Sequence, residues 1–102
     1  MNILLTGSTG FIGRALLARL LAEPHIEVFE AGRKALAGER YTCVGKLQAD
    51  TDWSKALQNI QVVVHMAGRA HVLGSTDIDS PAVFQAVNVD GTLSLARQAA
   101  AA

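Results

Sequence analysis

Eight residues near the start of the chain, Thr6-Gly7-Ser8-Thr9-Gly10-Phe11-Ile12-Gly13, place three glycines at three-residue intervals. They lie between an apolar run, Asn2 to Thr6, and an amphipathic stretch, the context that a dinucleotide-binding turn requires. Gly7 permits a tight turn out of a strand. Gly10 lets backbone approach a pyrophosphate that a Cβ would obstruct, and Gly13 lets the following helix pack close to the sheet. The helix N-terminus then offers free N–H groups, those of Phe11 and Ile12 among them, to phosphate oxygens. No Gly-Lys-Ser/Thr follows the turn, so it is not the phosphate loop of a nucleotide triphosphatase. His25, His65 and His71 have no metal-ligand spacing and Cys43 is isolated, so neither a metal site nor a cysteine nucleophile is expected.

The elements that must position this turn alternate in a βαβ rhythm. Asn2 to Thr6 reads as a strand buried on both faces. Phe11 to Ala22 reads as a helix with Leu16, Leu17, Leu20 and Leu21 on one stripe, ended by Glu23-Pro24. His25 to Ala31 is a second strand, 32–40 a polar loop or short frayed helix, and Tyr41 to Val44 a third strand. Thr51 or Asp52 can cap a short helix over Trp53 to Gln58. Ile60 to Met66 is a fourth strand, in which Val62-Val63-Val64 again implies burial on both faces. A long connection, 69–79, leads to Ser80-Pro81, an N-cap and first-turn proline for a helix that runs to the C-terminus without a C-cap glycine. That helix looks cut rather than finished.

The chain has 102 residues, half of them apolar, with nine basic and nine acidic side chains. That is one domain, and with no cationic excess it suits neither nucleic acid nor a membrane surface. A single cysteine and no signal-peptide pattern fit a reducing, cytoplasmic compartment. No apolar run reaches the roughly 20 residues that cross a bilayer.

Three segments together resemble the extended short-chain dehydrogenase/reductase family, which includes nucleotide-sugar epimerases, dehydratases and reductases. They are TGSTGFIG at the N-terminus, His65-Met66-Ala67-Gly68 at the end of the fourth strand, and Asn88-Val89-Asp90-Gly91-Thr92 on the final helix. The resemblance implies an α/β fold, the first half of a Rossmann domain over residues 1–102, with a parallel sheet in the order 3-2-1-4. It implies that Ala67 and Gly68, being small, let the chain pass close to the ribose or pyrophosphate. It also implies that Asn88 anchors loops beside the cofactor. Phe84, Asn88, Gly91 and Leu95 fall on one helical stripe, where a sheet-facing amide needs buried partners. Residues 52–57 and 65–72 look more particularly like members that process UDP-sugars in bacterial surface-polysaccharide pathways.

Cofactor preference turns on the end of the second strand, Phe29-Glu30-Ala31-Gly32-Arg33-Lys34. Glu30 lies near the distance expected of an acid that binds the ribose hydroxyls of NAD. Matching strand ends to the family pattern instead puts Gly32 at that position with Arg33 beside it, which favours the 2′-phosphate of NADP. Many relatives carry Gly-Asp after the third strand, the Asp contacting adenine. Here the match is Gly45-Lys46-Leu47, with Asp50 the nearest carboxylate that could substitute.

The family's chemistry uses Tyr-x-x-x-Lys with a nearby Ser or Thr. The only tyrosine is Tyr41, and Gly45 stands four residues on. The sequence therefore points to the NAD(P)-binding portion of a UDP-sugar epimerase or reductase, with no catalytic residue in this stretch and the sugar nucleotide bound by residues outside it. A non-catalytic NAD(P)-sensing regulator and a stand-alone binding module are the alternatives. An apolar fourth strand left as a sheet edge also predicts self-association through that strand or the final helix.

Overall fold

The computed structural model describes residues 1–68 and 81–102. The 69–79 connection, His71 and the Ser80 cap lie outside the described residues.

Four parallel strands form one sheet: β1 (Asn2–Thr6), β2 (Glu27–Gly32), β3 (Tyr41–Cys43) and β4 (Val62–His65), in the order β3-β2-β1-β4. This is the expected 3-2-1-4 arrangement. β1 is central because its run Ile3-Leu4-Leu5-Thr6 is apolar on both faces, and all four residues are buried. Leu4 pairs with Phe29 and Val63, and Thr6 with Ala31 and His65, so those side chains share one face.

On that face sits the core: Leu4, Ala31, Leu47, Trp53, Ala56, Leu57 and Leu95, with Trp53 wholly enclosed. The other face carries α1 (Phe11–Leu21), which packs on β1 and β2. Leu16, Leu17 and Leu20 are half-buried there, but Leu21 is exposed, so the apolar stripe is one residue narrower than the periodicity suggests. α1 ends at Ala22, and a turn through Pro24 delays β2 to Glu27, two residues later than expected. In that turn the Met1 ammonium donates to the His25 carbonyl.

Three further expectations fail. Residues 54–59 are a run of turns, not a helix. One i→i+4 bond forms (Leu57 N–H to the Trp53 carbonyl), the others are i→i+3, and Asn59 turns left-handed (φ 59°). Six residues are too few to repay helix nucleation. The predicted cap is nonetheless present: Asp52 Oδ1 accepts from the Ser54 N–H at 2.9 Å. The Ser54 hydroxyl, and after it this N–H, hold the Asp52 carboxyl below its ordinary range. Thr51 instead donates to the Lys46 carbonyl.

β4 is not buried on both faces. Val62 is 39% exposed and Val63 and Val64 are half-buried, because β4 has a sheet neighbour only on its β1 side among the described residues.

The last helical stretch is not one α-helix. A short α2 (Pro81–Phe84) passes into a π-helical segment, Gln85–Gly91, and then α3 (Thr92–Ala101). Gly91 and Leu95 are buried as the 3.6 period requires, but Asn88 is exposed rather than sheet-facing. α3 is tied to the core by Gln98, whose Oε1 accepts from the Trp53 N–H (2.8 Å). Its Nε2 donates to the Thr51 carbonyl (2.7 Å) and to Ser94 Oγ (2.9 Å).

Candidate functional site

The carboxyl ends of β1, β2 and β4 open into a cleft of about 990 Å3. A crevice there is the expected ligand site of an open α/β sheet. One wall is the turn Gly7 to Gly10, a second is the end of β2 with Gly32, Arg33 and Lys34, and a third is Met66, Ala67 and Gly68.

The three glycines of the turn have different physical reasons. Gly7 has φ +75°, and a Cβ on it would stand 2.5 Å from the Ala67 nitrogen. Gly13 is pressed against the turn: its Cβ would fall 1.8 Å from the Gly7 carbonyl oxygen. These two weld α1, β1 and the end of β4 together. At Gly10 a Cβ would meet only the Gly7 oxygen, at an ordinary 3.4 Å, so the fold itself does not forbid a side chain there. What the missing Cβ leaves open is the cleft, which Gly10 lines. Gly10 is also the N-cap of α1, with no side-chain cap and no acid in the first turn, so the helix start is left to attract an anion. Phe11 and Ile12 turn their side chains to solvent (88% and 63% exposed) and, like Gly13, do not line the cleft. Only their backbone N–H groups could serve it.

The far wall is cationic. Arg33, Lys34 and Lys46 line the cleft, and among the described residues no carboxylate does. Glu30 shares the opposite, α1-side face of β2 with Val28 and is not part of the lining, which removes it as a partner for a ribose in the cleft. Asp50 is likewise outside: it accepts from Gln48 Nε2 at 2.7 Å. Two side chains of β3 hold the β2 exit loop in place. The Tyr41 hydroxyl donates to the Lys34 carbonyl (2.6 Å) and Cys43 Sγ to the Arg33 carbonyl (3.4 Å). The Tyr41 hydroxyl fills the space a side chain at position 32 would take, 2.7 Å from where its Cβ would lie. Burial, with Cys43 and Glu30 nearby, raises the Tyr41 pKa above its ordinary value, so the phenol stays protonated and donating at neutral pH.

Asn88 is outside the lining but beside it, with its Oδ1 2.9 Å from the position a Gly68 Cβ would occupy. A side chain at position 68 would displace the Asn88 amide from its present place. Sequence reasoning gave no binding role to Tyr41, Ser8, Leu47 or Met66, all of which line the cleft. The missed signal was sheet register: parallel pairing of Tyr41 with Glu30 sets the start of β3 beside the end of β2.

A turn of this geometry at the end of an inner parallel strand, facing a cationic wall, defines a Rossmann-type dinucleotide-binding fold. The model of the NAD dependent epimerase/dehydratase family matches residues 3–102, and the chain belongs to that family. It is 40% identical over 100 residues to a UDP-glucose 4-epimerase of Vibrio cholerae, covering 96% of this chain and 30% of that protein. A UDP-glucose 4-epimerase of Mycolicibacterium smegmatis is 33% identical over 110 residues, covering 97% and 34%. The chain thus spans about a third of the length of these relatives. Among solved structures, a short-chain dehydrogenase/reductase superfamily protein of Agrobacterium tumefaciens with bound NAD superposes with a TM-score of 0.73. It is 30% identical, over 99% of this chain and 29% of the other. UDP-glucuronic acid 4-epimerase of Bacillus cereus in complex with NAD gives 0.68 at 27% identity, over 95% and 35%.

Proposed function

We propose that residues 1–102 are the dinucleotide-binding portion of an NAD(P)-dependent nucleotide-sugar epimerase acting on a UDP-sugar. The observation that carries this is the cleft itself, where a turn needing glycine at Gly7 and Gly13 for packing also has glycine at Gly10, where packing does not need it. The kinship to two UDP-glucose 4-epimerases and to NAD-bound neighbours supports the same reading. In such an enzyme the nicotinamide supplies reversible hydride exchange with a sugar carbon. This chain's residues bind and orient. The Gly10 backbone and the α1 N-terminus hold the pyrophosphate, with the N–H groups of Phe11, Ile12 and Gly13 as donors. Ala67 and Gly68 leave room for the ribose, and Asn88 braces that segment. The sugar nucleotide and the proton-moving pair belong to residues beyond these, since Tyr41 has no lysine four positions on.

Arg33, Lys34 and Lys46 give the adenosine end three cations and, among the described residues, no acid, which favours NADP over NAD. Calorimetry on the full chain tests both statements. ADP-ribose should bind, and Gly10→Ala should abolish that binding while leaving thermal stability nearly unchanged. Arg33→Asp should weaken NADP by about tenfold, the loss of one charge-assisted hydrogen bond, and leave NAD within about twofold. Equal losses for both dinucleotides would overturn the NADP preference, and ADP-ribose binding that survives Gly10→Ala would overturn the placement of the pyrophosphate.

A further inference from the structure

His65, the last residue of β4, lies where three elements meet, directly before the Met66–Gly68 wall of the cleft. Its Nδ1 is 2.6 Å from Thr6 Oγ1 at the end of β1, and its Nε2 is 3.2 Å from Thr92 Oγ1 at the start of α3. Thr6 Oγ1 in turn accepts from the Ala67 N–H at 3.1 Å. Thr6 is wholly buried, so its hydroxyl proton has no water to go to. The arrangement that leaves no buried donor unpaired has Thr6 donating to Nδ1 and Nε2–H donating to Thr92. The imidazole is therefore neutral, with its proton on Nε2. Through Thr6 it holds the Ala67 N–H, and Ala67 with its neighbours Met66 and Gly68 is a wall of the cleft. The same backbone abuts Gly7, whose Cβ would collide with Met66 and Ala67.

We propose that neutral His65 is a positioning residue for the dinucleotide: by accepting from Thr6 it fixes the Met66–Gly68 wall against the glycine turn. This rests on the dinucleotide reading above. Protonating Nδ1 removes the acceptor and orphans the Thr6 hydroxyl proton, which disturbs the Oγ1 that accepts from the Ala67 N–H and loosens the wall, although the Met66 N–H still donates to the Thr6 carbonyl at 3.1 Å. Among the described residues the groups facing the imidazole are Thr6 from β1 and Thr92 from α3, both uncharged. Among the described residues burial alone shifts His65, holding its pKa below the ordinary 6.5. Asp90, close to Thr92 in sequence, is engaged by Gln85 Nε2 at 3.3 Å instead.

The test is dinucleotide affinity against pH on the full chain, for the native protein, His65→Asn and His65→Phe, with NADP as the probe. 15N NMR of the imidazole and amide exchange at Ala67 are measured alongside. Native affinity should be flat near neutrality and fall about tenfold as acid protonates His65, the equivalent of about 1.4 kcal/mol. His65→Asn, whose amide oxygen can still accept from Thr6, should bind within a few-fold of native and lack the acid limb. His65→Phe should bind about tenfold more weakly at every pH, with faster exchange at Ala67. An acid limb that persists unchanged in His65→Asn, an Nδ1-protonated imidazole at neutral pH, or native affinity in His65→Phe overturns the proposal. Failure of the native chain to bind at any pH, with imidazole and Ala67 signals as expected, overturns the dinucleotide reading, and the role toward a ligand with it.

Discussion

Gly10 and Gly13 are both glycines of one motif, yet they answer to different forces, and single substitutions separate them. A methyl at Gly13 would lie inside the radius of the Gly7 carbonyl oxygen, backbone that cannot swing aside. Gly13→Ala is expected to cost about 3 kcal/mol or more of stability, seen as a large drop in the thermal midpoint. Gly10→Ala, meeting nothing closer than 3.4 Å, should shift the midpoint little. His65 adds a pH dependence. A base whose folded pKa lies below its unfolded value of about 6.5 is protonated more readily once unfolded. Stability should be flat above that pH, fall as acid takes it down through 6.5, and level off below the folded pKa. His65→Asn should remove that part of the acid sensitivity in pH-dependent denaturation curves.

At the scale of elements, the contact that closes the core is polar. Gln98 on α3 satisfies the Trp53 N–H and the Thr51 carbonyl on a segment that forms no regular structure of its own. Gln98→Leu keeps the bulk and removes both bonds, leaving two buried backbone groups unpaired. A loss of about 2–4 kcal/mol follows, at about 1–2 kcal/mol for each group. Trp53, the chain's only tryptophan and wholly enclosed, reports it: the fluorescence unfolding midpoint should fall and the emission shift to the red. If the midpoint holds, the apolar neighbours of Trp53 suffice and Gln98 is incidental. The π-helical segment is the other lesson at this scale. A local i→i+5 winding brings Asn88 beside Gly68 although the α-helical period sends it to the sheet.

For the molecule as a whole, the consequences lie in what the sheet exposes. Among the described residues β4 is an open edge, with Val62 39% exposed, and Val89 and Leu93 stand out from the helical layer. An apolar edge with unpaired N–H and C=O groups recruits another strand. Residues 1–102 should therefore self-associate at micromolar concentration, and sedimentation showing a stable monomer would refute it. With one tyrosine and no Tyr-x-x-x-Lys, the same polypeptide should bind ADP-ribose but turn over no UDP-sugar, a coupled spectrophotometric assay being the check. What the sequence determined by itself was local or strongly patterned. The glycine turn, the largely apolar β1 and the strand order follow from spacing, from two-face burial and from the family resemblance. What only the tertiary structure decided depends on neighbours distant in the chain. Burial of β4 hinges on a strand beside it, and the position of Asn88 on helix winding. The role of Tyr41 arises from parallel register, and that of His65 from a hydroxyl fifty-nine residues away. No periodicity encodes these, because each is a contact between elements whose relative placement is settled by packing.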